Sequence, residues 1–320
     1  MTTEPVAGAR GSVACRCCGS GGVAHVGKKR GRFLVRDFDF WRCPACGYMF
    51  VEPFPGYAVY DSAYYEGRGA DPYVDYESEH RDYRSTDRMI EFDDLWRIAS
   101  GFIEKNIPEG AVEWLDFGCG AGGLLRYLAD KGAAGSGGRR WPIRVTGHDV
   151  GTYAERLRVA DGMRILSLDQ LESMAGGSYD VISMIEVVEH LEFPDPVFAL
   201  AARLLKPGGL LLLTTGNLSG IVPRVKGLRY AYVIPEIHVG YFTPRTLEGV
   251  YARHGLRPVR FRYDGVVRFK VLKTLRTPGK QRLARMAMGL PLVVGALDGL
   301  FGTSRMPCAV KPFDSEVITK

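Results

Sequence analysis

The sequence has no apolar run long enough to cross a bilayer. Its best candidate, "GLPLVVGALDGLF", carries Asp298 and falls short of the about 20 residues that a spanning helix needs. The opening "MTTEPVAGARGSVA" lacks the charged start and apolar stretch of a secretory signal. A cytoplasmic location is therefore expected. Disulfides are rare there, so the seven Cys point to metal binding or plain burial. Nor does charge of one sign dominate, with 42 Lys and Arg against 36 Asp and Glu, but the charge is unevenly spread. Residues 61 to 94 hold eleven acids and four Arg among many Tyr, and residues 253 to 285 hold eleven Lys and Arg and one acid, Asp264. The first reads as a solvated helical connection with an aromatic inner face. The second could meet phosphates, anionic lipid or simply water. With 320 residues and 46% hydrophobic content, the chain can bury a full core, as one large domain with an appendage or as two domains.

What is present begins with two knuckles, "CRCCG" and "CPACG", which give Cys15, Cys18, Cys43 and Cys46. Each is C-x2-C followed by Gly, a turn that lets two thiolates bind one tetrahedral ion. The segment between them alternates enough to form a hairpin, so residues 13–55 read as a zinc ribbon in which the metal stabilises folding. Four Cys leave no open position, which makes a structural Zn²⁺ the expectation. Cys17 is then a spare thiol, with a register using it in place of Cys15 or Cys18 as the minor alternative.

"AVEWLDFGCGAGGLLRYLAD" runs from a strand into a helix through a Gly-rich turn, where a ligand can touch backbone at the carboxyl end of a strand. Gly118, Gly120 and Gly123 also satisfy the dinucleotide pattern G-x-G-x-x-G. Asp116 shifts the balance, because its carboxylate would repel a pyrophosphate but not a cofactor with an amino acid moiety and a sulfonium. Strand and helix signals then alternate. "IRVTGHDV" reads as a second strand ending at Asp149, placed for ribose hydroxyls; "MRILSLDQL" reads as a third, "YDVISMI" as a fourth and "GLLLLTT" as a fifth after the turn at Pro207, Gly208 and Gly209. "TPRTLEGVYARHGL" reads as a helix, "RPVRFRY" as a sixth strand and "RMPCAVKP" as a terminal one. This rhythm implies an α/β fold with a doubly wound parallel sheet.

The series "LDFGCGAGG", "GHDVG", "YDVISMIEVVEHL" and "LLKPGGLLLLTT" resembles the class I S-adenosylmethionine-dependent methyltransferases, over roughly residues 109 to 312. The ribbon, "YDSAYYEG" and "HVGYFTPRTL" look like the small-molecule and saccharide methyltransferases of bacterial secondary metabolism and surface-glycan clusters. The resemblance implies a seven-stranded Rossmann-like sheet with an antiparallel last strand. It also implies cofactor contacts at Asp116, Gly118, Cys119 and Gly120 for the methionine part, Asp149 for the ribose, and Asp169 and Gln170 beside the adenine. Glu186 would face the reactive end. "EVVEH" resembles the E-x-x-E-H element of the ubiquinone-pathway O-methyltransferases and of the small-RNA 2′-O-methyltransferases. In those families a later His completes the set, here His238.

If 186 to 190 is helical, Glu186, Glu189 and His190 share a face. With His238 they would make a divalent cation site suited to Mg²⁺ or a similar ion. Two other readings stand beside it: His190 or His238 as a general base without metal, and a structural Glu-His pair. The expected boundaries are a disordered terminus at 1–12, the ribbon at 13–55, the acidic Tyr-rich connection or substrate cap at 56–108, and the methyltransferase domain at 109–313 with a basic insertion at 264–303. The expected activity is O-methylation of a small molecule, sugar or lipid-linked glycan, with peripheral membrane contact through the basic region. C- or N-methylation, a nucleic-acid substrate and a non-catalytic cofactor-binding protein are the alternatives. Sparse aromatic interleaving after Arg253 counts against nucleic acid. Oligomeric state is not legible.

Overall fold

The computed structural model describes residues 13–68, 76–107, 110–134, 141–160, 162–262, 291–301 and 306–313. The expected disordered terminus and most of the basic insertion lie outside the described residues. The chain begins with three short antiparallel strands, β1 (Ala24–Arg30), β2 (Asp37–Arg42) and β3 (Met49–Glu52). Helices α1 (Ser62–Tyr65), α2 (Tyr76–Asp82) and α3 (Arg88–Asn106) follow. α3 buries Phe92, Leu95, Ala99 and Ile103 along one stripe, at the spacing of a helix laid on a sheet.

The central sheet is built from β4 (Val112–Phe117), β5 (Ile143–His148), β6 (Tyr179–Ile185) and β7 (Leu205–Thr214), all parallel. Helices α4 (Gly123–Ala134), α5 (Thr152–Ala160), α6 (Leu168–Ser173) and α7 (Pro194–Leu204) connect them. β6 is buried at every position, as expected for a parallel strand covered on both faces. Beyond β7 come α8 (Ile221–Lys226), β8 (Gly240–Tyr241), α9 (Pro244–Arg253), β9 (Arg257–Val259), α10 (Pro291–Phe301) and β10 (Cys308–Val310). The strand order is β5-β4-β6-β7-β10-β9, with β10 antiparallel to both neighbours.

Among the described residues this sheet has six strands rather than seven. The expected third strand, "MRILSLDQL", contributes one parallel bridge, Gly147 to Ile165, and then turns into α6. The physical reason is local: Ser167 and Gln170 form a reciprocal capping box that starts a helix where the apolar run suggested a strand. A second difference concerns "KPGG". It is a bulge inside β7, because the register passes from Tyr179–Leu205 to Val181–Leu210.

The ribbon strands form a second sheet of order β1-β2-β3-β8. Its fourth strand, β8, comes from beyond the central parallel strands, some 190 residues further along the chain. Among the described residues, no helix is long and apolar enough to cross a membrane.

Candidate functional site

The chain leaves β4, builds β5 on one side, and returns to place β6 on the other side of β4. The carboxyl ends of β4 and β6 therefore flank a topological switch point, the usual site of a ligand crevice. A cavity of about 780 Å³ opens there, large enough for a cofactor and an acceptor together. It runs from Asp149 and Asp116, past Gly118 and Glu186, to His190 and His238.

In the loop after β4, Gly118 (φ 85°) and Gly120 (φ 51°) adopt left-handed backbone that favours glycine. Asp116 is buried and accepts from Ser183 Oγ at 2.6 Å, and that hydroxyl accepts from Trp114 Nε1 at 2.9 Å. Burial pushes the Asp116 carboxyl up to about 7, against the opposing pull of Ser183 and the Arg88 charge. Asp149 accepts from Gly120 N at 2.9 Å through one oxygen and from Gly151 N at 2.7 Å through the other. Tyr65 OH donates to that second oxygen at 3.4 Å, so the Tyr-rich segment reaches the acid that follows β5.

Just past β6, Glu186 is the one described non-glycine residue with positive φ, 55°. Such backbone in a bulky residue costs free energy and persists where the surroundings impose it. A short 3₁₀ turn, Val188–His190, follows. Glu189 is fully buried and accepts from Tyr232 OH at 2.6 Å and Thr215 Oγ1 at 2.8 Å. Burial and the nearby Glu186 charge push its carboxyl up to about 8. His190 Nδ1 lies 2.7 Å from Ile237 O and 2.8 Å from Tyr60 OH. His238 Nδ1 lies 2.6 Å from Tyr232 O, with its ring stacked on Tyr232 at 4.1 Å between centroids. Each imidazole, donating through Nδ1 to a carbonyl, keeps its lone pair at Nε2 when neutral.

Potential ligand atoms of Glu189, His190 and His238 lie within 4.8 Å of one another. Glu186 lines the cavity but stands outside this set, so the expected four-ligand cluster becomes three. The left-handed turn at Glu186 breaks the helical register that would have aligned it with Glu189 and His190. Asp169 and Gln170 do not line the cavity; both are exposed, Gln170 is committed to capping α6, and Leu168 lines the wall instead.

Sequence reasoning missed Arg88. It enters the cavity wall, 3.0 Å from Glu91 and 3.4 Å from Glu79. Burial opposes its charge, and the two carboxylates more than restore it. One Arg among four in an acidic stretch carries no mark of which turns inward. Tyr232 was missed too, because nothing in its local sequence marks it as the partner of Glu189.

In the ribbon, the four Sγ atoms of Cys15, Cys18, Cys43 and Cys46 lie within 4.8 Å of one another, with Cys15–Cys46 and Cys18–Cys43 each at 3.6 Å. A tetrahedron with Zn–S of about 2.3 Å has edges of about 3.8 Å, so the thiols fit one such ion. The knuckle amides turn back on the sulfur-bearing loops, Gly19 N on Cys15 O at 2.8 Å and Gly47 N on Cys43 O at 2.9 Å.

A largely parallel sheet with a glycine loop after β4, an acid after β5 and a polar cluster after β6 is an α/β architecture with a ligand crevice at its switch point. Residues 86–260 match the family described as "Methyltransferase domain", and the chain belongs to this family of class I S-adenosylmethionine-dependent methyltransferases. The ubiquinone biosynthesis O-methyltransferase of Nitrosococcus oceani is 35% identical over 124 residues, which is 36% of this chain and 48% of its own length. The protein of that name from Burkholderia cenocepacia is 31% identical over 156 residues, 45% of this chain and 62% of its own length. This chain thus spans about half of the length of the curated relatives it matches. Among solved structures, phosphoethanolamine N-methyltransferase 2 of Haemonchus contortus in complex with S-adenosyl-L-methionine is similar at 18% identity, covering 75% of this chain and 60% of that one with a TM-score of 0.38.

Proposed function

We propose that the protein transfers a methyl group from S-adenosylmethionine to a hydroxyl of a small molecule. The observation that carries this reading is the meeting of His190 and His238 with Glu189 at the far end of the cavity from Asp149. Relatives named as O-methyltransferases support it. Asp149 would hold the ribose, and Asp116 with Arg88 the charged methionine end, Arg88 meeting the carboxylate and Asp116 the ammonium. In the transfer, the acceptor oxygen attacks the methyl carbon as the carbon–sulfur bond breaks, leaving S-adenosylhomocysteine. The acceptor's proton passes to His238 or His190 at Nε2, and the apolar and aromatic walls keep water from the vanishing sulfonium charge.

A second reading rests on the same three residues. Two imidazoles, each oriented by a carbonyl, and a carboxylate are a donor set for a divalent cation, which would hold the acceptor oxygen and lower its pKa. The four-cysteine cluster of the ribbon would hold a structural Zn²⁺.

Incubation with labelled S-adenosylmethionine and a panel of hydroxylated aromatics and saccharides tests the proposal. His238→Ala is expected to cut turnover by about 10²- to 10⁴-fold while leaving cofactor affinity in place. Unchanged turnover in this variant would sink the assignment. Loss of activity in EDTA, restored by Mg²⁺ with the ribbon metal intact, would favour the cation reading over the lone base.

A further inference from the structure

From the way β8 joins the ribbon, we infer that the zinc ribbon is a working part of the acceptor half of the site: its hairpin positions His238, with Lys29 and Glu236 as the positioning residues. The inference rests on the reading of His238 as a reacting group.

The segment from Leu228 to Val239 carries Tyr230, Tyr232, Ile234 and His238 to the cavity wall. Much of what fixes it from outside comes from the ribbon. Lys29 Nζ donates to the carbonyls of Leu228 at 2.8 Å and Val233 at 2.5 Å, tying two points of the segment to β1. Phe33 N, in the hairpin turn, donates to Glu236 Oε1 at 2.8 Å. Val51 N on β3 donates to Val239 O at 3.1 Å, and β3 then pairs with β8 through Met49–Tyr241 and Phe50–Gly240. From the other side, Val239 N donates to Glu189 O at 2.8 Å. Val239, the residue after His238, is thus bonded to the ribbon through its carbonyl and to the candidate proton-handling turn through its amide.

Packing repeats the pattern. Phe38, Phe40, Met49 and Val51 of the ribbon share one apolar cluster with Val233 and Val239 of the segment. The opposite side of the ribbon, Cys15, Cys43, Tyr48 and Phe50, packs in the core that also holds Leu115 and Phe117 of β4. The fit is close: a Cβ at Gly31 would lie 2.5 Å from Glu236 Oε1, and one at Gly240 would lie 1.9 Å from Tyr48 OH. Glu236 is fully buried, and its charge supports the half-buried Lys29 cation against desolvation. A ribbon of this size holds its shape through its metal rather than through a core of its own. The Cys15, Cys18, Cys43, Cys46 site therefore acts on chemistry at His238 through β3, β8 and the Lys29 and Glu236 anchors. The hydrogen bonds from Lys29, Phe33 and Val51 reach the His238 segment, and none of them reaches the glycine loop at 118–123.

Lys29→Met and Glu236→Ala, in the full zinc-loaded chain, test this without touching a thiolate or a cavity-facing group. Three quantities are read in each: cofactor dissociation constant by calorimetry, His238 imidazole ¹⁵N and ¹H shifts with their pH titration by NMR, and methyl transfer to any accepted hydroxyl compound. The expected result is cofactor affinity within about twofold, displaced His238 signals, and kcat lowered by up to about 10²-fold, as small misplacements of a reacting group allow. His238 signals that superpose on those of the unaltered protein in both variants would overturn the inference, whatever metal the variants hold. Parallel loss of cofactor affinity would overturn it too, by showing a general rather than an acceptor-side effect. If the unaltered protein transfers no methyl group, the functional proposal falls, and the NMR readout still decides whether the ribbon places His238.

Discussion

Gly118 shows how much one missing side chain decides. Its φ of 85° lies in the left-handed region, and a Cβ there would stand 2.4 Å from Val187 Cγ2. Val187 follows Glu186, so the loop after β4 and the end of β6 touch across the space of one absent methyl group. Gly118→Ala is expected to cost about 1–2 kcal/mol from backbone conformation alone, with a further penalty from the contact. Because relief requires the strand end to move, cofactor affinity should fall with stability. Chemical denaturation and calorimetry on the same variant check this, and unchanged affinity would show that the two strand ends can shift without harm. Asp116, Gly118 and Asp149 were legible in the sequence because a glycine turn and an acid at a strand end constrain backbone locally. Arg88, Tyr65 and Tyr232 were not, since their roles come from how distant elements fold over the loop.

Among the elements, α6 separates local from tertiary control most clearly. An apolar run there reads as a strand, yet Ser167 accepts from Gln170 N at 3.2 Å while Gln170 Oε1 accepts from Ser167 N at 2.8 Å. Two terminal donors are satisfied at once, and the chain takes the helix. Ser167→Ala and Gln170→Ala are each expected to cost about 0.5–2 kcal/mol, without changing cofactor affinity. A large loss of affinity in Gln170→Ala would restore its expected place beside the adenine. The antiparallel β10 was legible from resemblance and the helix α9 from the residues of "TPRTLEGVYARHGL". The pairing of β3 with β8 was not, because a two-residue strand leaves no periodic signal, and partners nearly 190 residues apart leave none in local composition. The expectation of an appended ribbon thus gives way to one whose sheet is completed by the methyltransferase part.

At the scale of the whole molecule, if Asp116 holds the cofactor's ammonium as proposed, its burial couples cofactor binding to pH. In the ligand-free protein its folded pKa, about 7, stands above the ordinary 3.8. A carboxyl raised on folding contributes stability below its unfolded pKa, and that contribution is lost as pH rises through about 7. A cofactor carrying an ammonium and a sulfonium favours the ionised carboxylate, so binding below about pH 7 must release a proton. Affinity is therefore expected to rise with pH up to about 7, by at most about tenfold per pH unit, and then to level off. Ligand also stabilises the folded state in proportion to the logarithm of its saturation. The gap in melting temperature between cofactor-saturated and ligand-free protein should accordingly widen between about pH 6 and pH 8. Carboxylates lowered by partners, such as Asp195 beside Arg253 and His254, act in the opposite sense on stability, and Glu189, pushed up to about 8, titrates in the same window, so the variant at Asp116 assigns the trend. In Asp116→Asn the pH trend should vanish along with most of the affinity. Calorimetry in buffers of differing ionisation enthalpy counts the proton directly. Uptake of a proton, or a pH trend that survives in Asp116→Asn, would place the linked group elsewhere in the cavity.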